Sequence, residues 1–560
     1  MAQGNYEGIS IKDAMDKINA TNNGWYLPNI QRQYVWGSRD SSEEYICLLV
    51  DSLLRGFPIG GLVLWETDTP IPYREFLRDY EVGSVAKIVA EERWGNAKSL
   101  VYDGQQRLQT LYSVLYHRFN GRVLYYDLLF DMRSSALDET GFFFKSKDEP
   151  AKPNSISMPE ISGQKTLEDK YRIRSKLLNG QTLSDEQRML VEMNLDRLWA
   201  VFVERENRSI AYFPVKSGDS AAVNEVFRRL NTGGIPLTQL EMVLAKIKEH
   251  SPYFEEMLWD LTSQIKEATG GIQGYEFSAH EIVQLIYLLV FQTTRVDESR
   301  VNDNNINLML EMFSHVQNVL PEFFKYFIYE SFHINAKWLV IRQQALLPLL
   351  VYSVTLERKG YKWKVEQIDT TALVTYFIKS QLCDWNTQTM VTAFARLAFE
   401  AAEQNKIFPL EAITNVAIEK NRTGDVFFYQ LEGPIWFSLK ILTPDRLYLF
   451  NERKPQIDHI FPLALHDKLP DKDEYRQRVD VIWNMQPTPA GVNNHKRMTH
   501  PVEFFKSAEG HPYLASYDFK PASIDSPEWK NEELFISYRK KAMADFMKEH
   551  YNIELKENPQ

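Results

Sequence analysis

The stretch Ser99-Leu-Val-Tyr-Asp-Gly-Gln-Gln-Arg-Leu-Gln-Thr-Leu111 joins a short apolar run, a glycine turn and the start of an amphipathic helix. Its pattern predicts a strand from Ser99 into a turn at Gly104, followed by a helix from Gln105 to Tyr116. Around it, helical spacing alternates with strand patterns, at Ile9–Ile18, Ile46–Leu54 and Phe57–Trp65. This alternation predicts an α/β domain at the N-terminus.

The turn in this stretch carries a carboxylate, two amides and an arginine, at Asp103, Gly104, Gln105, Gln106 and Arg107. A strand that turns into a helix offers backbone N–H groups and a positive dipole to an anion, and arginine binds phosphate as a fork. The turn is therefore a candidate phosphate site. The alternative is an aspartate-capped helix with a buried arginine, and the residues alone leave both interpretations open.

The pattern changes twice further along the chain. Residues 132–182 contain Ser, Pro, Gly and Lys clusters, which predict an insertion or long loops between short strands. A strand is predicted at Ile210–Lys216 and a helix at Ala221–Leu230, and the chain is then almost wholly helical from Thr238 to about Lys420. We therefore expect an α+β multidomain protein with domains at 1–237, 238–425 and 426–560.

The composition excludes several classes of protein. The net charge of -11 over 560 residues argues against a surface coated with basic residues, so any DNA contact must be localised. Cys47 and Cys383 lie far apart, so we expect neither a disulfide framework nor a thiolate zinc cluster. The N-terminus lacks the pattern of a secretion signal, and no apolar run approaches the roughly 18 residues of a membrane span. We expect a cytoplasmic protein.

Three short motifs follow one another in the C-terminal region: Gln456-Ile-Asp-His-Ile-Phe-Pro462, Ile482-Trp-Asn-Met-Gln486 and Asn493-Asn-His-Lys496. In this order they closely resemble the HNH, or ββα-metal, nuclease motif. The chemistry is consistent with that resemblance, because a neutral imidazole can deprotonate the water that attacks a phosphodiester while one divalent ion stabilises the added charge. The resemblance implies a C-terminal HNH nuclease domain that uses Mg²⁺ or Mn²⁺.

The same resemblance assigns a role to each motif residue. His459 would be the general base and Asp458 a metal ligand, and Asn484 would hold the loop that orients the histidine. Asn493 would be the second metal ligand, and Lys496, one helical turn later, would contact the phosphate.

Two points about this motif stay open at the sequence level. The second ligand could be Asn493, Asn494 or His495, and Asn493 is preferred because it keeps the Asn-x-x-Lys spacing. The Asp-His pair could also be a surface turn beside loop asparagines. Local phosphate contacts could come from basic residues in the region, which are Arg453, Lys454, Lys468, Lys496 and Arg497.

Two further N-terminal stretches carry unusual residues. Gln31, Arg32, Tyr34 and Trp36 combine amides, a cation and aromatic rings, which could probe a modified base or backbone, line a nucleotide pocket or belong to the core. Downstream, the segment Val226-Phe-Arg-Arg-Leu-Asn-Thr-Gly-Gly234 contains Arg229 and Asn231. Its two glycines could bring backbone close to a ligand or end a helix.

Together with Asp103–Arg107, these stretches closely resemble the N-terminal domain of GmrSD-type, modification-dependent (type IV) restriction endonucleases. Chains with that domain commonly end in an HNH domain. The resemblance implies a ParB/sulfiredoxin-like α/β domain, a helical middle domain and a ββα-metal nuclease domain. It also implies binding and hydrolysis of a nucleoside triphosphate, often GTP, by Asp103, Gly104, Gln105, Gln106 and Arg107, with Arg229 and Asn231 nearby. The sequence contains no GxxxxGK[ST], so a P-loop enzyme is excluded.

These observations predict an antiphage endonuclease or nickase that senses phosphorothioated or glucosylated-hydroxymethylcytosine DNA and is gated by the nucleotide, with a homodimer possible. Two rival hypotheses remain. One is a nucleotide-regulated DNA-binding protein with a degenerate HNH site, because Trp483-Asn484-Met485 replaces the usual Gly-Asn-Leu. The other is a nucleotide-dependent enzyme whose target is not DNA.

Overall fold

A computed structural model describes residues 5–38, 41–150, 152–179, 183–216, 223, 238–271, 274–340, 342–361, 370–443 and 455–558. The chain divides into two compact units, Met1–Glu256 and Met257–Gln560, and each is described by itself. Both units combine helices with small sheets, so the predicted α+β class is confirmed. None of the described helices is long and apolar enough to span a lipid bilayer.

The first unit is built on a six-stranded mixed sheet in the order β1-β9-β3-β5-β2-β4. Strand β5 lies inside this sheet, antiparallel to β3 and parallel to β2. A second, three-stranded antiparallel sheet has the order β7-β6-β8. The strands of the unit are β1 (Glu7–Ile9), β2 (Trp25–Pro28), β3 (Leu62–Thr67), β4 (Tyr73–Arg74), β5 (Lys98–Asp103), β6 (Val123–Asp127), β7 (Phe142–Lys145), β8 (Ser155–Ser157) and β9 (Ile210–Lys216).

Apolar helix faces form the main core of this unit. Ile11, Val50, Leu111 and Leu198, from four different helices, belong to one buried cluster with the sheet residue Leu64, and this non-directional burial is the main force that holds helices on a sheet. The helices are α1 (Ile11–Asn19), α2 (Ser42–Leu54), α3 (Gln105–Tyr116), α4 (Met158–Ser162), α5 (Leu167–Asn179), α6 (Asp185–Phe202) and α7 (Gln239–His250).

The local sequence patterns predict most of these elements well. The helix predicted at Gln105–Tyr116 and the strand predicted at Ile210–Lys216 have the predicted bounds. The insertion expected at 132–182 contains short strands, as predicted, but also α5, whose single buried residue, Ile173, gives almost no apolar periodicity. The helix predicted at Ala221–Leu230 lies outside the described residues except for Val223. Likeness to a ParB fold stays a prediction.

The second unit begins with a long run of helices, as the sequence predicts. Helices α11 (Leu347–Arg358) and α13 (Gln388–Glu403) pack against each other through apolar faces. These faces include Leu350, Val354, Val391 and Phe394. The helices of this part are α8 (Phe254–Ala268), in which the boundary between the units falls, α9 (Ala279–Phe291), α10 (Asp303–Phe323), α11 (Leu347–Arg358), α12 (Thr371–Leu382), α13 (Gln388–Glu403), α14 (Leu410–Glu419) and α15 (Ile435–Leu442).

The C-terminal part of this unit has its own apolar cluster, centred on Phe461, Tyr475, Phe505, Trp529 and Phe535. Its strands are β10 (Val426–Phe427), β11 (Gln456–His459), β12 (Met485–Thr488) and β13 (Leu555–Lys556). Its helices are α16 (Lys472–Val479), α17 (Ala490–Lys496), α18 (Pro501–Lys506), α19 (His511–Leu514) and α20 (Glu532–Tyr551).

Helix α20 is the charged C-terminal helix of the sequence, and it buries one face. Phe535, Met543 and Met547 are fully buried, and Arg539 is inaccessible to solvent. Arg539 donates from Nε to the carbonyl of Trp483 at 2.6 Å and from Nη2 to that of Met485 at 2.8 Å. The arginine therefore joins α20 to the start of β12, and burial lowers its pKa to about 10.

Candidate functional site

Strands β11 and β12 and helix α17 carry the three C-terminal motifs. The strands pair antiparallel, with Asp458 opposite Gln486 and His459 opposite Met485, and α17 follows β12 after one residue and packs on β11. The three motifs, which are far apart in sequence, thus come together as a strand, a strand and a helix. Asn493 is the middle residue of the seven-residue helix α17.

Asn484 fixes the chain directly after His459. Its Nδ2 donates to the carbonyls of Phe461 at 2.9 Å and Val479 at 2.8 Å, and its Oδ1 accepts from the N–H of Phe461 at 2.9 Å. Its own carbonyl accepts from the N–H of Ile460 at 2.8 Å. Asn484 is fully buried, so every one of these bonds substitutes for lost water. Asn484 therefore lies where it could hold the loop that orients His459, which is the role predicted for it.

His459 lies at the end of β11 with one-fifth of its side chain exposed, and its Nε2 is 2.9 Å from Oδ1 of Asp480. A carboxylate that accepts from one imidazole nitrogen fixes the tautomer and leaves the other nitrogen as the base. Sequence reasoning missed Asp480, because a single aspartate at the C-terminal end of a charged helix carries no motif signal. Near it, desolvation and the charge of Asp480 raise the pKa of Glu432.

Lys496 and Asp458 form a buried ion pair. Their side chains are each 1% exposed, and Nζ of Lys496 lies 2.6 Å from the carboxylate of Asp458. The same ammonium donates to the carbonyls of His459 at 2.6 Å and Ile460 at 3.0 Å. Asp458 has a second partner in Tyr517, whose hydroxyl donates to Oδ2 of Asp458 at 2.7 Å. Burial lowers the pKa of Lys496, and Asp458 partly offsets this effect.

This pair differs from the roles that the sequence predicts for the two residues. The predicted phosphate contact needs an accessible ammonium, but the Lys496 side chain is 1% exposed and its Nζ already contacts Asp458 and the carbonyls of His459 and Ile460. The predicted metal ligand, Asp458, is already neutralised by a cation. A divalent ion could reach Asp458 only if Lys496 moved away from it. Among the described residues, no group of three histidine, cysteine or acidic side chains could hold a metal ion.

The residues near Lys496 and Asp458 that the sequence proposed as ligands or phosphate contacts are not all described, and those that are described are exposed. The side chain of Asn493 lies outside the described residues, and so do Arg453 and Lys454. Asn494 is exposed, and the imidazole of His495 bonds to Glu509 on the surface. Two basic residues of the region, Lys468 and Arg497, are exposed and could contact phosphate.

The N-terminal candidate site begins with a left-handed turn. Gly104 has φ of +88° and caps α3 without any side-chain cap. A Cβ at this position would lie 2.1 Å from Cδ2 of Leu62 on β3, so only glycine fits. The first backbone N–H groups of α3 are therefore left at a positively polarised helix end, which suits an anion.

Arg107 ties this turn to a second glycine turn. Its Nη2 donates to the carbonyl of Gly61 at 3.0 Å and to Asp103 Oδ2 at 3.2 Å, and its Nη1 donates to the carbonyl of Ile59. Half of the Asp103 side chain is exposed, whereas that of Arg107 is mostly buried. Asp103 is thus the more accessible of the two. The sequence left open a phosphate site and a helix with a buried arginine. The geometry combines the two, because Arg107 holds the backbone of the turn that carries the candidate site.

The stretch around Tyr34 packs directly on α3. Gln106 accepts from the N–H of Val35 at 3.0 Å and donates to the carbonyl of Gln33 at 3.2 Å. The hydroxyl of Tyr34 lies 2.6 Å from Oγ1 of Thr110, and burial raises the pKa of this tyrosine. Gln31 is buried and donates to the carbonyl of Tyr102. Two predicted site motifs are therefore one structural unit, and their buried side chains serve mainly to join them.

The other predicted sensing residues are more accessible. Trp36 lines an apolar cleft of about 300 Å³ together with Tyr45 and other residues of α2. Arg32 forms an ion pair with Glu241 at 3.5 Å. Arg229 and Asn231, predicted to contact the nucleotide, lie outside the described residues.

Comparison with known proteins agrees with this arrangement. Residues 11–248 match the family model described as "GmrSD restriction endonuclease, N-terminal domain". The match covers less than half of the chain, and it shows that this region is similar to the N-terminal domain of GmrSD restriction endonucleases. The match covers β5, the Gly104 turn, α3 and the Tyr34 stretch, and it ends in α7. None of the curated proteins compared with the chain matches it.

The GmrSD domain thus contains one candidate site, and the C-terminal strands and helix contain the other. Besides Asp480, sequence reasoning missed Tyr517. Tyr517 follows Asp458 by 59 residues and reaches it only through the tertiary fold.

The buried pair makes a prediction about stability. We expect Lys496→Met to lower the free energy of unfolding by about 3–5 kcal/mol, because it leaves the Asp458 carboxylate buried without its cation. Chemical denaturation followed by circular dichroism measures this change. The matched control is Lys468→Met, which removes an exposed lysine of the same region.

Adding Asp458→Asn to Lys496→Met should recover part of the loss, because the second change removes the uncompensated charge. A Lys496→Met protein as stable as the Lys468→Met control would contradict the buried pair.

Proposed function

We propose that this chain is an antiphage, modification-dependent DNA endonuclease or nickase in which the GmrSD domain controls the C-terminal site. The observation that carries the proposal is the pair of His459 and Asp480 at the end of β11, on a loop held by Asn484. It supplies an accessible imidazole, a carboxylate that orients it and a rigid backbone beneath it. The family of residues 11–248 supports DNA as the substrate.

The proposed chemistry follows from this pair. Because Asp480 accepts from Nε2, Nδ1 of His459 keeps a lone pair and can take a proton from the attacking water. The imidazolium that forms is stabilised by the adjacent carboxylate. Asn484 contributes by keeping the backbone of residues 460 and 461 in place, so that the imidazole approaches the phosphodiester from a fixed direction.

The proposed role of the N-terminal site is nucleotide binding. Asp103 is half-exposed beside an uncapped helix end, and Gln105 lines a cleft at the same end of α3. The helix end and Gln105 suit the phosphates of a nucleoside triphosphate, with GTP as the predicted nucleotide, and Asp103 could orient a metal or water beside them. Hydrolysis would switch the C-terminal site between silent and active states. The proposed DNA targets are phosphorothioated and glucosylated-hydroxymethylcytosine DNA.

One observation favours a second candidate function, a DNA-binding regulator with an inactive C-terminal site. The ammonium of Lys496 neutralises Asp458, the residue that the motif would assign to a metal. A site that keeps this ion pair permanently would bind DNA without cutting it. Metal-dependent nicking of a plasmid distinguishes the two functions.

For the nuclease, we expect His459→Ala to lower the rate of plasmid nicking by about 10²-fold or more, because it removes the general base. Asp480→Asn should lower the rate less and should change its pH profile, because the imidazole stays but loses its oriented anion. His550→Ala, on the exposed side of α20, is the control and should nick normally. Nicking is also expected to stop with EDTA and return with Mg²⁺ or Mn²⁺. Full activity of His459→Ala would sink the assignment.

A second prediction concerns control of nicking by the N-terminal nucleotide site. We expect Gln105→Ala and Arg107→Ala to lower GTP hydrolysis and to make the rate of nicking independent of GTP. The readout uses matched plasmids that carry no modification, phosphorothioates or glucosylated hydroxymethylcytosine, each with and without GTP. A melting curve separates loss of the site from loss of the fold, which matters most for Arg107 because it holds the turn. Gln388→Ala, an exposed change in the second unit, is the control. GTP hydrolysis that survives both substitutions would rule out a nucleotide site at this turn.

A further inference from the structure

The sheet formed by β6, β7 and β8 has two different faces, because side chains alternate between the faces along each strand. One face is buried in the main core of the first unit and consists of Leu124, Tyr126, Phe142, Phe144 and Ile156. The opposite face carries Tyr125 and Phe143, whose side chains are partly exposed. Two large rings therefore lie on the face that is directed away from the core.

The two rings lie side by side. Tyr125 of β6 is directly opposite Phe143 of β7 in the register of the strands, and the ring centroids are 5.9 Å apart with the planes inclined by 25°. On its other side, Tyr125 is opposite the small residue Ser157 of β8. Cross-strand aromatic pairs stabilise a sheet, but the partial exposure of this pair also offers two adjacent positions for a planar ligand.

A lysine lies over each ring. Nζ of Lys145 is 5.4 Å from the ring centroid of Tyr125, and Nζ of Lys152 is 4.5 Å from that of Phe143. Lys145 also donates to the carbonyl of Ser146 at 3.3 Å. Within the described parts of the chain, neither ammonium forms an ion pair with a carboxylate. Both cations are therefore available to an external anion.

The acidic residues near the rings leave an excess of positive charge. Glu149 accepts from a backbone N–H and lies 3.8 Å from Arg122, and Asp127, at the end of β6, accepts from a backbone N–H. Lys147 and Asp148 are both exposed in the turn after β7. Lysines therefore outnumber the carboxylates outside an ion pair here, in a chain whose net charge is -11.

Aromatic rings and available cations on one surface fit a single strand of DNA. A base can stack on an aromatic ring whatever its sequence, and lysines can contact the phosphates beside it. A cation–π contact at an exposed site is weaker than base–aromatic stacking. An arriving base can therefore displace each ammonium from its ring toward a phosphate. A duplex cannot use the rings in this way, because its base faces are already stacked.

We propose that Tyr125, Phe143, Lys145 and Lys152 form a platform that binds single-stranded DNA by base stacking. The inference goes beyond the proposed function, because it requires neither the nucleotide site at the Gly104 turn nor the C-terminal nuclease site.

Fluorescence anisotropy of labelled DNA with the full-length chain tests the platform. EDTA is present and nucleotide is absent, so neither cleavage nor GTP hydrolysis contributes. The probes are a thymidine strand of about 12 nucleotides, an abasic strand with the same number of phosphates and a duplex of the same length. We expect the thymidine strand to bind at least about 10-fold more tightly than the abasic strand, because only stacking distinguishes them. A wild-type chain without this preference would overturn the inference.

Substitutions of the rings test whether the preference arises at the platform. Tyr125→Leu with Phe143→Leu keeps apolar side chains but removes both rings, and should abolish the preference for thymidine. Tyr125→Phe with Phe143→Tyr keeps two rings and should retain it. Tyr171→Leu changes an exposed tyrosine of α5 and is the matched control. A preference that is equal in wild type and the double-leucine variant contradicts the platform. If a melting curve shows that this variant is unfolded, Tyr125→Leu alone replaces it and should reduce the preference.

Substitutions of the lysines test the phosphate contacts. Lys145→Gln with Lys152→Gln should weaken the binding of both single strands. It should also reduce the slope of log affinity against log salt concentration by about 1.4, since each phosphate contact of a single strand contributes about 0.7. Lys87→Gln with Lys165→Gln removes two exposed lysines elsewhere in the unit and is the control. Duplex binding that falls as much as single-strand binding would indicate a general electrostatic surface and would overturn the platform.

Discussion

The absence of a side chain at residue 104 is the constraint on which the first unit depends. A strand in the middle of the sheet must turn into α3 within one residue, and a Cβ at Gly104 would overlap Leu62 of the neighbouring strand. Because the turn is this tight, Arg107 comes within reach of the carbonyls of Ile59 and Gly61, and Gln106 reaches the backbone of Gln33 and Val35. The same turn leaves the N-terminal end of α3 without a side-chain cap, which is why it is the candidate anion site.

The C-terminal site relies on a similar use of buried polar groups. Asn484 bonds to the backbone of Phe461 and of Val479, and Arg539 fixes the start of β12 from α20. A buried amide or guanidinium that satisfies several backbone groups favours one loop conformation, since every alternative would leave those groups unpaired. His459 can then be partly exposed and still keep a fixed orientation. Rigidity in the backbone and accessibility at the imidazole are therefore compatible.

Sequence patterns predicted the features that are set by residues close together in the chain. The bounds of α3 and β9 follow from apolar periodicity and from glycine, and the three C-terminal motifs were found because their spacing is itself the signal. Tertiary contacts could not be predicted in this way. Asp480 meets His459 and Tyr517 meets Asp458 only after the chain has folded. Alternating lysine and glutamate residues, as in α20, are typical of a solvent-exposed helix, but the spaced aromatic and methionine residues of α20 and Arg539 bury one face.

The burial of Lys496 limits how the C-terminal site can work. One ammonium cannot neutralise Asp458 and contact a DNA phosphate at the same time, because its three protons are already directed at Asp458 and two carbonyls. Removing it from this pocket would leave a buried carboxylate uncompensated, which costs several kcal/mol unless another cation arrives. A metal at Asp458 would therefore have to replace the ammonium of Lys496. In the nuclease proposed above, such an exchange would give the chain a physical basis for remaining silent until both DNA and a metal are bound.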